Sequence, residues 1–139
     1  MNFRCSGVLA AFLFLPACSM EHTELARIGS PDGHTVALLE WEGGGGAAGS
    51  TVVQLYLIEA ANPKDLGKPV LEATNCGDMS VAWTDKRTLQ VHYSATCRIG
   101  QFTNKWFSDT MPQSARSDES SVELILARVG LPQRDTAQK

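Results

Sequence analysis

Apolar and polar residues alternate along much of this chain in short runs that turn sequences interrupt. The run at residues 88–95 (TLQVHYSA) places Leu89, Val91 and Tyr93 on one side and polar residues on the other. A period of two is typical of a half-buried β-strand. Similar runs predict strands at residues 34–42, 51–60, 70–73, 80–84, 97–107 and 121–129. The pattern is ambiguous at 97–107, and the composition of 121–129 also permits a short helix.

Glycine, proline and aspartate mark the turns between these strands. Residues 30–33 read Ser-Pro-Asp-Gly, in which proline presets one dihedral, aspartate bonds its own backbone and glycine accepts a positive φ. Residues 43–49 (GGGGAAG) would lose much conformational entropy in a helix or strand, so they predict a flexible hairpin loop. Such a loop is usually a tolerated surface connection and less often a mobile lid over a binding site. The polar residues 108–120 predict an exposed loop.

The number and spacing of the strands predict the fold class. Six or seven short strands separated by turns, without a long amphipathic helix, indicate a single all-β domain, either a small antiparallel sandwich or an open barrel. We expect this domain at residues 27–129. Residues 18–26 are polar and lack a strand pattern, which predicts a tether, and residues 130–139 predict a disordered tail.

The first 18 residues have the organisation of an export signal. Arg4 and the amino terminus supply positive charge, and residues 7–15 (GVLAAFLFL) form an apolar segment too short to span a bilayer. The sequence Leu15-Pro16-Ala17-Cys18 then resembles a bacterial lipobox. This resemblance implies removal of residues 1–17 as a signal peptide and acylation of Cys18, with palmitate among the acyl groups, so that the chain is anchored in a lipid bilayer. An ordinary secretory signal or an uncleaved anchor is the alternative.

The residue after the cysteine bears on location. Ser19 stands where enterobacterial sorting reads an aspartate as retention in the inner membrane. By that analogy the expected location is the periplasmic face of the outer membrane. Two or more acyl chains would hold the protein there firmly.

Length and charge limit the remaining function classes. Removing the first 17 of the 139 residues leaves 122, enough for one domain with a modest core. Arg4 is the only charged side chain lost, so 11 Lys and Arg remain against 15 Asp and Glu. The resulting formal charge of about −4 gives no electrostatic reason to expect nucleic-acid binding.

Each of the four cysteines has a predicted role. Cys5 lies in the leader and Cys18 carries lipid, which leaves Cys76 and Cys97. In an oxidising compartment a single remaining pair predicts a structural disulfide. A metal site or a redox pair is the alternative, but this separation matches neither a CxxC nor a zinc pattern.

Two turn motifs are similar to those of other bacterial β proteins. The Ser-Pro-Asp-Gly turn and the WTDKRTL run at residues 83–89 are similar to parts of single TolB-like propeller blades, but the chain is too short for the four or more blades of a propeller. With the lipobox, the same order of features resembles a group of small, uncharacterised bacterial lipoproteins over roughly residues 28–93. That group supplies no activity to carry over.

Residues that carry catalysis or bind metals do not form a recognised motif. The histidines lack ligand spacing to one another or to a carboxylate, and no GxSxG, HExxH or phosphate-loop motif occurs. The three histidines are His22, His34 and His92. The acids flanking the glycine loop could form a glycosidase-like carboxylate pair, although acids facing water at strand ends explain them as well. The acids that flank the glycine loop are Glu40, Glu42 and Glu59. We expect no enzyme activity, no catalytic or metal site and no cofactor.

Aromatic residues suggest where a binding surface lies, because Trp and Tyr are favoured at recognition hot spots. We assign Trp83 and Tyr93 to the core. The exposed patch is predicted beside the polar loop, at Lys105, Trp106 and Phe107. The glycine loop is the second candidate surface and begins with Gly43, Gly44, Gly45 and Gly46.

These features favour a membrane-anchored periplasmic lipoprotein that acts as a non-catalytic binding module, with another envelope protein as its partner. Two alternatives stay open. One is an inhibitor or immunity protein directed against a cell-wall-lytic enzyme, although no inhibitory loop motif is recognised. The other is an envelope hydrolase, which would require His34 or His92 to meet a carboxylate inside a cleft.

Overall fold

A computed structural model of the chain describes residues 21–43 and 51–130. These residues form strands and two short 3-10 turns, at Gln113–Ala115 and Asp118–Ser120. No helix in the described ranges has the length and hydropathy needed to cross a bilayer. The strands are β1 (Glu21–Gly29), β2 (Thr35–Gly43), β3 (Thr51–Glu59), β4 (Leu71–Thr74), β5 (Met79–Asp85), β6 (Thr88–Ser94), β7 (Arg98–Phe102), β8 (Lys105–Trp106) and β9 (Val122–Val129).

The strands form two sheets that pack face to face. The large sheet has the order β1-β2-β3-β4-β7, and the small sheet has the order β5-β6-β9-β8. All neighbours are antiparallel except β6 and β9, which are parallel. One apolar cluster joins the two inner faces, with Leu39, Leu55 and Leu71 from the large sheet and Leu89 and Val91 from the small one. The predicted all-β sandwich is confirmed, and it is not a closed barrel.

The β5–β6 hairpin belongs to the small sheet, although the strands before and after it belong to the large sheet. It leaves the large sheet after β4, forms the hairpin in the small sheet and returns as β7, which pairs with β4. Cys76 follows β4 and Cys97 precedes β7, and the two form a disulfide with their Cα atoms 4.2 Å apart. The predicted pairing of these cysteines is therefore confirmed. The bond joins the two ends of the segment that forms the β5–β6 hairpin.

A tryptophan joins the sheets along the opposite edge. The Trp83 indole Nε1 donates a 3.0 Å hydrogen bond to the Ile28 carbonyl, which links the edge strands β5 and β1. Its ring also packs against the apolar cluster, as the sequence predicts. The sequence also predicts a core position for Tyr93, but Tyr93 is half-buried and lies outside that cluster.

Two segments differ from the sequence prediction. Residues 21–26, expected in the tether, belong to β1, which pairs with β2 on both sides of an irregularity between Glu24 and Ala26. This edge strand buries little of its surface, with Leu25 half exposed, so it shows no apolar alternation. Residues 97–107, expected as one strand, are divided into β7 and β8 in different sheets. Predictions for residues 1–20, 44–50 and 131–139 lie outside the described ranges.

The two ends of the sandwich differ in what they carry. At one end the pairs Glu21–Gly43 and Gly43–Thr51 lie near the Cys76–Cys97 bond, and we call this the disulfide end. The opposite end, called the turn end, carries the β1–β2 turn and the tip of the β5–β6 hairpin. A nine-residue strand such as β1 spans about 27 Å, which separates the two ends.

We expect the double substitution Cys76→Ser with Cys97→Ser to lower the free energy of unfolding by about 3 kcal/mol, because the open chain gains conformational entropy. Urea unfolding of the folded protein measures this difference. A reductant should destabilise the wild type to a similar degree and leave the double variant unchanged. Equal stability of the oxidised wild type and the variant would contradict the structural role of the bond.

Candidate functional site

A cleft of about 930 Å³ opens at the turn end and is lined by both sheets. We call it the end cleft. Its walls come from the β1–β2 turn, the end of β3, the tip of the β5–β6 hairpin and the connection between β8 and β9. The charged and aromatic residues that line it include Asp32, His34, Glu59, Lys86, Arg87 and Trp106. The volume lies within the range of ligand sites, about 300–1,000 Å³.

The β1–β2 turn supplies a rigid wall of the end cleft. The Asp32 carboxylate accepts the Ser30 hydroxyl at 2.7 Å and the His34 backbone N–H at 3.2 Å, and Gly33 has φ +75°. These are the roles that the Ser-Pro-Asp-Gly sequence predicts for its aspartate and glycine. The Ser30 hydroxyl bond, followed by the His34 N–H, lowers the pKa of Asp32. Asp32 therefore stays ionised at the rim of the cleft.

The β5–β6 turn forms another wall of the end cleft. As in the β1–β2 turn, an aspartate carboxylate accepts the backbone N–H of the residue two positions later. The Asp85 carboxylate accepts the Arg87 backbone N–H at 2.7 Å, and this bond is the main reason that the pKa of Asp85 is lowered. The Arg87 guanidinium donates to the Glu119 carbonyl, and the Arg87 carbonyl accepts the Glu123 N–H at 2.7 Å. The hairpin tip is thereby fastened to the segment that leads into β9. Lys86, at the tip, is exposed.

The predicted aromatic patch is divided among three environments. Trp106 is half-buried, packs against the apolar cluster and lines the end cleft. Phe107 is half-buried, with the Arg116 guanidinium 5.6 Å from its ring centroid. Lys105 is exposed and its ammonium lies 2.6 Å from the Asp118 carboxylate. The expected exposed patch therefore reduces to one lysine in an ion pair and one tryptophan at the cleft.

Gly43 is the residue of the predicted glycine loop that the structure describes. Gly43 ends β2 at the disulfide end, and the Trp41 ring lies so close to it that a Cβ there would overlap the indole. Gly44, Gly45 and Gly46 lie outside the described residues. Gly43 and the end cleft are therefore at opposite ends of the sandwich.

The histidines do not converge. His34 lines the end cleft, whereas His92 lines a separate pocket of about 560 Å³ with Met79, Tyr93 and Val129. His22 lies at the disulfide end, with its Nε2 3.9 Å from a Glu42 carboxylate oxygen. The described residues include no group of three His, Cys, Asp or Glu side chains arranged to hold a metal ion.

The predicted acid cluster is also divided. Glu40 and Glu42 lie on the outer face of the large sheet, where Glu40 pairs with Gln54. Glu59 lies at the opposite end of β3, where its carboxylate accepts the Thr110 hydroxyl at 2.6 Å in the end cleft. The three acids therefore do not act together beside the glycine loop.

A row of three acids and two amides runs across the five strands of the large sheet. Successive cross-strand pairs place Glu24, Glu40, Gln54, Glu72 and Gln101 side by side on the outer face. We call this the acid–amide row. Sequence reasoning missed it because each member lies in a different strand. Alternation within one strand shows which face a residue occupies, but not which residues it meets across the sheet.

Tyr56 lies beside the acid–amide row, and its pKa depends on the negative charges nearby. Its hydroxyl donates to the Gln54 side-chain oxygen at 2.9 Å, and the Gln54 amide nitrogen donates to Glu72 at 2.9 Å. Burial raises the pKa of Tyr56, and the negative charges of Glu40, Glu42 and Glu72 raise it further. The tyrosine therefore remains a neutral donor beside the carboxylates.

Comparison of the chain with protein-family models, with curated proteins and with solved structures gave no match.

Asp32→Ala should remove a contribution to stability that depends on pH. Because the folded pKa of Asp32 is lowered, this contribution is present above the ordinary value of 3.8 and is lost as the pH falls through the folded value. Denaturant unfolding of both proteins at several pH values measures it. The wild type should be the more stable at neutral pH, and the difference should shrink in acid. A difference that grows in acid would contradict the assignment.

Glu40→Gln should lower the pKa of Tyr56 towards its ordinary value, because one of the negative charges that raise it is removed. Tyr56 and Tyr93 are the two tyrosines of the chain, so ultraviolet titration in a Tyr93→Phe background reports Tyr56 alone. Glu119→Gln at the turn end is the matched control and should leave the titration unchanged. An unchanged or higher pKa in Glu40→Gln would contradict the interpretation.

Proposed function

We propose that this chain is a membrane-anchored periplasmic lipoprotein whose β domain acts as a non-catalytic binding module for an envelope protein. The observation that carries the anchor is the sequence Leu15-Pro16-Ala17-Cys18 after a short apolar run. Acylation of Cys18 would fix the mature amino terminus in the bilayer. Ser19 after that cysteine favours the outer membrane over the inner one in this proposal.

The start of the domain fits an anchor at Cys18. β1 begins at Glu21, three residues after the cysteine, and three residues span at most about 10 Å. The disulfide end, which carries Glu21, would therefore lie next to the bilayer. The end cleft would open on the opposite side, farther away by about the 27 Å length of β1. This arrangement presents the cleft to proteins in the periplasm.

The composition of the end cleft supports binding. Loops of two sheets meet there around Trp106, and loops held on a rigid scaffold are common positions for recognition. Two of its carboxylates are already engaged, since Asp32 accepts two hydrogen bonds and Glu59 accepts the Thr110 hydroxyl. Charged and aromatic groups held in this way suit a surface that orients a partner.

The anchor is tested by labelling cells that express the full precursor with radioactive palmitate. We expect the wild type to take up the label and Cys18→Ala to take up none, because the acyl acceptor is lost. Cys5→Ala is the matched control: this cysteine lies in the predicted leader, so its loss should leave the label unchanged.

Two results would overturn the anchored assignment. One is a wild type without label in cells that label their other lipoproteins. The other is equal labelling of the wild type and Cys18→Ala. Loss of label in both cysteine variants would instead show that the leader does not tolerate the change at Cys5, and Cys5→Ser would then replace that control.

A further inference from the structure

The hairpin tip presents two cations to the end cleft. Lys86 and Arg87 both line it, and neither belongs to any of the ion pairs among the described residues. One guanidinium nitrogen of Arg87 donates to the Glu119 carbonyl, which orients the group without neutralising it. Lys86 is exposed beside it. An anionic group entering the cleft would meet both charges.

The other walls restrict what kind of anion fits. Asp32, Glu59 and Glu119 also line the end cleft, so its acids outnumber Lys86 and Arg87. A polyanion such as a nucleotide or a phosphate chain would be repelled by those acids. A single carboxylate would meet the cations of the hairpin tip at a smaller cost, because it carries less charge. The ligand is therefore expected to carry one localised negative charge.

Apolar side chains of the end cleft add a second requirement. Trp106, Met111 and Pro112 also line it. Trp106 is held in place because it also packs against the core. An apolar side chain next to a carboxylate would be desolvated against these residues. A polypeptide segment can supply both groups, because an acidic side chain and an apolar one can stand next to each other in its sequence.

We propose that the end cleft binds a polypeptide segment of the partner in which one acidic side chain lies beside apolar ones. The carboxylate meets Lys86 and Arg87, and a neighbouring apolar side chain packs on Trp106. The assignment rests on the proposed binding role and does not depend on the acyl anchor, because all the residues that carry it lie within residues 32–122.

The test measures fluorescence anisotropy of labelled peptides with the full-length protein in detergent micelles. The probe peptide is Ser-Leu-Glu-Leu-Ser, and its matched versions carry glutamine or lysine in place of glutamate. We expect saturable binding of the glutamate peptide, weaker binding of the glutamine peptide and the weakest binding of the lysine peptide. The anisotropy of each peptide in micelles without protein corrects for partition into the micelles. Binding of the glutamate peptide should weaken as salt rises.

Variants connect this binding to the cleft. Lys86→Gln should weaken binding of the glutamate peptide about fivefold, because an exposed charge contact is lost, and Lys86→Arg should restore most of it. Lys68→Gln is the matched control, since this exposed lysine in the β3–β4 connection does not line the cleft. Its affinity should stay within about twofold of the wild type.

Three results would overturn the proposal: equal affinity for the glutamate and glutamine peptides, equal affinity of Lys86→Gln and wild type, or displacement of the peptide by an acidic peptidoglycan fragment but not by excess unlabelled peptide. Both assays on the wild type separate this failure from failure of the anchor. Peptide binding by a wild type that takes up no palmitate label would reject the anchor alone, and palmitate label without peptide binding would reject the cleft assignment alone.

Discussion

The excursion of the chain out of the large sheet and back again is the constraint on which this structure depends. β4 and β7 are only four and five residues long, yet their pairing brings together both ends of the segment that forms β5 and β6. The Cys76–Cys97 bond makes that meeting covalent. Leu89 and Val91 of the hairpin then face Leu55 and Leu71 in one apolar cluster. The core exists because the hairpin is held over the large sheet.

The same excursion determines where the end cleft forms. Closing the hairpin at its base directs its tip, with Lys86 and Arg87, to the opposite end of the sandwich. There it meets the β1–β2 turn, and the indole of Trp83 holds β5 against β1 close to that meeting. The cleft thus combines one wall from each sheet. Its cations come from the hairpin, and its acids come from the β1–β2 turn, the end of β3 and the β8–β9 connection.

Local chemistry was predictable from the sequence, and long-range pairing was not. The Ser-Pro-Asp-Gly turn, the period of two in β6 and the cysteine pair each depend on neighbouring residues or on simple counting, and each prediction is confirmed. β1 was missed because an edge strand needs few apolar residues. The division of residues 97–107 was missed because the change of sheet occurs at polar residues. The end cleft and the acid–amide row depend on strand order, which alternation does not encode.

The parallel pairing of β6 with β9 has a consequence for how the molecule is made. Thr88 and Glu123 are partners although 35 positions separate them in the chain. A nascent polypeptide emerging from its amino terminus therefore carries β6 with one ladder edge vacant until the final strand has been synthesised. Contacts between distant residues form slowly, and vacant edges invite aggregation. The small sheet is therefore complete only when β9 has been made and has paired with β6.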